Sequence, residues 1–228
     1  MDSGRELRWS ALGRELRLRC VPSPRQAPPV VLLRGFDLSP DWAFYPYLAT
    51  RLAEQRPVWF LPDARGLVDE LDSVETILRA WAQGLRPDGH PSSPGAIGLL
   101  GHGRGATLAL LAAAEGCGVQ GVVGLAPMST FHRGASAELS AELGDHSHRF
   151  FVERAARMID VPVLLVHGEE DQVVPPAEAE LLYHWLPKET GRLIMLERTG
   201  HSFGARHPFA GTTKELEIVV EVCRNFFR

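Results

Sequence analysis

The chain has 228 residues, 45% hydrophobic and 23% charged, a globular composition long enough to bury a substantial core and expected to form one domain over 1–228. Its 24 Lys and Arg are scattered among 28 Asp and Glu, for a formal charge of −4, so no basic stripe for nucleic acid is expected. The longest apolar runs, such as 108–114, are too short to span a bilayer, and the polar start lacks the apolar segment of a secretory signal.

Three separated cysteines, Cys20, Cys117 and Cys223, have no metal-ligand spacing; reduced thiols in a cytoplasmic protein are the expectation. The first elements read as strands over 5–10 and 15–20 around the turn-like 11–14, an antiparallel hairpin. The apolar run 30–33 reads as a strand buried on both faces. A helix follows over 42–55, interrupted near its start by Pro46, then a strand over 57–61 and an amphipathic helix over 71–85. A Pro/Ser/Gly loop at 90–95 precedes a strand over 96–100, a helix over 104–114 and a strand over 119–125. The less regular 127–145 reads as a surface excursion or small cap. Helix 149–158, strand 161–166, helix 177–186, strand 192–196 and helix 213–227 complete the chain. This alternation predicts an α/β fold: a mostly parallel sheet covered by helices on both faces.

Ligands of such sheets sit beyond the carboxyl ends of the strands. One strand end, Gly101-His102-Gly103-Arg104-Gly105, has the form of a nucleophile elbow. There a sharp strand-to-helix turn projects the central residue, and small flanking residues let strand and helix approach. The central residue is Gly103, which has no hydroxyl. Two later stretches also follow predicted strands, His167-Gly168-Glu169-Glu170-Asp171 and Gly200-His201-Ser202-Phe203. The order elbow, acid, histidine matches that of one hydrolase fold.

With Leu33-Arg34-Gly35-Phe36, these motifs resemble the α/β-hydrolase superfamily, in particular its dienelactone-hydrolase-like and short esterase or acyl-peptidase-like branches, over about 29–227. The resemblance implies that Asp171 orients an imidazole and that His201 is general base and then acid. It also implies that the amides of Phe36 and Arg104 form an oxyanion hole. Glu169 and Glu170 remain rivals for the acid. Arg34 stands where the family usually has histidine, and its cation would either grip an anionic ligand or crowd the site.

No metal or other cofactor is implied. His146 and His148 lack a third ligand at matching spacing, and Ser129 and Thr130 are weak substitutes for the missing serine because neither is on a strained turn. Two functions follow. The first is a serine-hydrolase-type protein for small carboxylic esters, lactones or related acyl substrates, weakly active or inactive because Gly103 occupies the nucleophile position. The second is a non-catalytic module on the same scaffold, holding a carboxylate ligand or presenting an interaction surface.

Overall fold

The computed structural model describes residues 4–35, 39–61, 66–88, 90, 95–116, 118–131, 141 and 143–228. Strands β1 (Arg5–Ala11) and β2 (Arg14–Val21) pair antiparallel. Leu7, Trp9, Leu16, Leu18 and Cys20 are buried, alternating with polar residues that face outward as strand geometry requires. Leu12 and Gly13 join the strands with φ of 51° and 79°, the double positive φ whose twist suits a two-residue hairpin.

Strand β3 (Val30–Leu33) is buried throughout. Helix α1 (Tyr45–Ala53) carries Pro46 in its first turn, where the missing N–H costs nothing. The predicted helix therefore starts at Tyr45 rather than at residue 42. Strand β4 (Val58–Phe60) leads to helix α2 (Leu67–Ala82). That helix begins four residues before the apolar periodicity suggests, because Asp69 and Glu70 occupy its first turn. Acidic groups are favoured there by the helix dipole and mask the pattern.

Strand β5 (Ile97–His102), helix α3 (Arg104–Ala114) and strand β6 (Val119–Leu125) follow. A 3₁₀ helix (Gly144–Phe150) and helix α4 (Val152–Met158) then replace the single helix expected over 149–158, because Phe151 between them has ψ of 86°. Strand β7 (Val163–Gly168) starts after Pro162, which has no N–H for a ladder. Helix α5 (Ala177–Trp185), strand β8 (Gly191–Leu196) and helix α6 (Lys214–Phe226) complete the order. The expectations for Cys117, for 91–94, and for most of the excursion after Phe131 lie outside the described residues.

The eight strands form one sheet in the order β1-β2-β4-β3-β5-β6-β7-β8. Pairing is antiparallel at β1-β2 and β2-β4 and parallel from β4 onward. Alternating side chains of the parallel strands feed two cores. Val31, Leu33, Leu99, Val122 and Leu165 pack with α2, α3, α4 and α5, whereas Val30, Leu32, Leu100, Val123 and Val166 pack with α1 and α6. This is the expected α/β-hydrolase arrangement with an antiparallel amino-terminal hairpin. It lines up the carboxyl ends of β3, β5, β7 and β8 along one edge.

Candidate functional site

The elbow sits where β5 turns into α3. Gly103 has φ 55° and ψ −121°, a left-handed setting that glycine adopts without the cost a side chain brings. Its N–H donates to the Leu125 carbonyl at 2.8 Å, anchoring the turn to β6. The flanking glycines are fixed by space. A Cβ on Gly101 would lie 2.2 Å from the Gly105 carbonyl oxygen, and one on Gly105 would lie 2.3 Å from that of Leu33. The end of β3, the elbow and the start of α3 thus pack backbone to backbone.

Asp171 lies in the loop after β7 and His201 in the loop after β8. The loops are tied together by N–H donation from Glu169 to the Leu196 carbonyl (3.0 Å) and from Glu170 to that of Thr199 (2.9 Å). Asp171 Oδ2 lies 2.7 Å from His201 Nδ1, and Asp171 Oδ1 accepts from the amides of Val173 (2.8 Å) and Val174 (2.9 Å). Burial by itself would raise the Asp171 pKa. Hydrogen bonds from His167, His201 and the Val174 amide outweigh it and hold the carboxyl well below the usual carboxylate range. Glu169 and Glu170 are exposed, whereas the Asp171 side chain is wholly buried.

An ideal Cβ on Gly103 would lie 3.6 Å from His201 Nε2, ordinary contact distance. The structure therefore brings Gly103, Asp171 and His201 together. They open on a cleft of about 430 Å³ lined by Gly35, Trp42, Gly103, Arg104, Met128, Val173, Val174, His201 and Ser202. Arg104 is the first residue of α3, where helix N–H groups face outward toward negative charge. Its guanidinium lies 3.7 Å from the Glu70 carboxylate, both side chains buried. Phe36 lies outside the described residues; Gly35 before it lines the cleft. The Arg34 guanidinium donates to the Leu61 carbonyl at 2.8 Å, and Arg34 is not among the residues lining this cleft.

A larger depression, about 630 Å³, is lined by Ser129, Thr130, Phe150, Phe151 and Trp185 among others, without Gly103 or His201. The smaller cleft is the functional candidate because it joins the base to the elbow. Both the Ser129 amide and its hydroxyl donate to buried Glu178, so that hydroxyl is already committed to another partner.

Three residues that sequence reasoning passed over complete the site. His167 Nε2 lies 2.9 Å from the Val174 carbonyl and 3.2 Å from Asp171 Oδ2; its spacing of four residues from the acid was the available signal. His102 Nε2 lies 3.0 Å from the His201 carbonyl, and His102 Nδ1 lies 2.9 Å from Tyr45 Oη. Tyr45 Oη in turn accepts from the Gly35 amide at 3.0 Å. A fourth, Trp42, stacks on His102 with ring planes 20° apart and forms one wall of the cleft. The contacts of His102, Tyr45 and Trp42 join residues far apart in sequence, so only the fold reveals them.

Comparison with known proteins bears on the fold. The family model described as serine aminopeptidase, S33, matches residues 129–204, the part holding Asp171 and His201 but not the elbow. Among curated proteins no relative matches in sequence. Similar solved structures include Est1E from Butyrivibrio proteoclasticus, at 17% identity and TM-score 0.71 over 97% of this chain and 96% of that one. Dienelactone hydrolase from Anabaena variabilis gives 19% and 0.69 over 99% and 97%. Pyrococcus horikoshii acylaminoacyl peptidase gives 16% and 0.70 over 98% of this chain but 41% of its own. At these identities the likeness concerns the fold alone, an α/β-hydrolase-like arrangement.

Proposed function

We propose that this chain binds small acyl substrates, carboxylic esters or lactones, at a serine-hydrolase-type site whose nucleophile position is Gly103. As it stands, the chain hydrolyses them weakly. His201 is the base, Asp171 orients it, and the Arg104 amide meets the negative charge that develops on the carbonyl oxygen. The observation that carries this reading is the alignment of a 2.7 Å Asp171–His201 pair on an elbow that keeps the backbone of a nucleophile turn. The likeness in fold to a dienelactone hydrolase and an acylaminoacyl peptidase supports the same substrate class. The lining of Trp42, Met128, Val173 and Val174 suits a compact apolar acyl group.

Restoring the hydroxyl tests the reading. Gly103→Ser would place its Oγ beside His201 Nε2. It should raise hydrolysis of p-nitrophenyl acetate by at least on the order of 10²-fold and become labelled by a fluorophosphonate. A complete triad contributes on the order of 10⁶ over the same site without serine, so a partial restoration is readily measured. A serine variant that folds, as judged by circular dichroism, but neither turns over nor labels would overturn the proposal.

A further inference from the structure

Gly103 closes the covalent route yet leaves the base in place. Asp171 is ionised and 2.7 Å from His201 Nδ1, so Nδ1 carries the proton and Nε2 presents its lone pair. Around the position of a Cβ on Gly103, His201 Nε2 at 3.6 Å and Cε1 at 3.7 Å are the only non-neighbouring atoms within 4 Å among the described residues. A serine hydroxyl would occupy that space, and a water oxygen has the same size and hydrogen-bonding capacity. No further side chain is needed to hold the arrangement. His102, Tyr45 and the Gly35 amide fix the first loop against the His201 loop through bonds of 2.9–3.0 Å.

We propose that water at the Gly103 position is the nucleophile. The chain then hydrolyses acyl donors with acidic leaving groups, thioesters and aryl esters, in one passage without an acyl-enzyme. This rests on the reading of the site given above. His201 Nε2 takes a proton from water as the water oxygen bonds to the carbonyl carbon. The carbonyl π pair moves onto its oxygen, which faces the Arg104 amide. The pair then returns, the C–S or C–O bond breaks, and His201 passes its proton to the departing thiolate or phenolate. Acyl donor and water give a carboxylic acid and a thiol or phenol, with no oxidation or reduction.

The leaving-group requirement follows from how the intermediate partitions. It carries the former water oxygen beside the leaving group, so whichever is less basic departs. Thiols near pKa 8.5 and phenols near 10 leave ahead of hydroxide, whose parent acid has a pKa of about 15.7. An alkoxide is about as basic as hydroxide, so with an alkyl ester the intermediate gains no bias toward product and the reaction is slowest. The apolar wall of Trp42, Met128, Val173 and Val174 selects an uncharged acyl group.

The unaltered chain is assayed with an N-acetylcysteamine acetyl thioester, p-nitrophenyl acetate and ethyl acetate, beside His201→Gln and Asp171→Asn. Hydrolysis of the first two is expected on the order of 10³-fold above buffer, the residual enhancement of a hydrolase site without its serine. Ethyl acetate should be accelerated least of the three. Progress curves should show no burst, and intact mass spectra no acyl adduct. Both variants should fall at least about tenfold below the unaltered chain, which keeps the base, toward the part that binding and the oxyanion amides supply without it. An adduct on any residue would overturn the water route, and so would turnover equal in the unaltered chain and His201→Gln. If Gly103→Ser is active while the unaltered chain is not, only this inference falls. If neither is active, the reading of the site falls with it.

Discussion

His102 shows how one side chain holds the site together. The Gly35 amide can only donate, so Tyr45 Oη accepts from it and gives its own hydrogen to His102 Nδ1. The His102 proton must then lie on Nε2, which donates to the His201 carbonyl. Burial, seconded by the His201 ring, pushes the His102 pKa down to about 3. In the unfolded chain it is near 6.5. Between these values the unfolded state binds a proton that the folded state does not. The contribution is therefore fully present above pH 6.5 and is lost as pH falls toward 3, by about 1.4 kcal/mol per unit. Urea unfolding from pH 6.5 to 4.5 should show His102→Gln less stable at the upper end but shallower in slope by about that amount. Superimposable slopes would contradict the buried neutral ring. At Gly103 the strain runs the other way. Serine at φ 55° should cost about 1–3 kcal/mol, or about 2–4 °C in Tm for each kcal/mol, even as activity appears. The sequence displayed Gly103, Asp171 and His201 because their motifs are local. It did not display His102 or Tyr45 as partners, since their bond spans 57 positions.

Helix α6 carries a link from element to site. Thr213 caps it, accepting from the Leu216 amide at 3.0 Å. The same hydroxyl donates at 2.7 Å to the Phe203 carbonyl in the His201 loop. Thr213→Val removes both bonds while keeping the shape. It should lower stability by about 1–2 kcal/mol and, in the Gly103→Ser background, reduce kcat more than it raises KM. An unchanged kcat with lowered stability would show that the cap serves the helix alone. Elements with a single dominant signal were legible: α3 and β6 have their predicted bounds, since an Ala/Leu run and a Val-rich run have one reading each. The start of α2 and the break at Phe151 were not. In the first, polar first-turn residues hide a favourable helix start; in the second, one residue with ψ of 86° interrupts an otherwise helical pattern.

At the scale of the molecule, the site is assembled from parts of unequal support. Gly103 and Asp171 follow β5 and β7, each buried throughout and paired on both sides. His201 follows β8, which ends the sheet, pairs only with β7, and buries only Gly191 among its six residues. The alternation of strands and helices in the sequence predicted the parallel sheet. Strand order, and with it the edge position of β8, depends on pairings between segments distant in the chain, which periodicity does not encode. Local opening draws on elements with few buried contacts and one-sided pairing, so β8 and the His201 loop should open before the sheet centre. Native-state hydrogen exchange in low urea should show ladder amides of β8, and the Phe203 amide that bonds Gly200, exchanging at least about tenfold faster than those of β5 and β6. That ratio corresponds to about 1.4 kcal/mol. A ligand bridging His201 and the elbow should narrow the gap, because opening β8 would then require its release. Equal protection of β8 and β5 without ligand would mean that the sheet opens as one unit, with His201 held as firmly as the strands that carry Gly103 and Asp171.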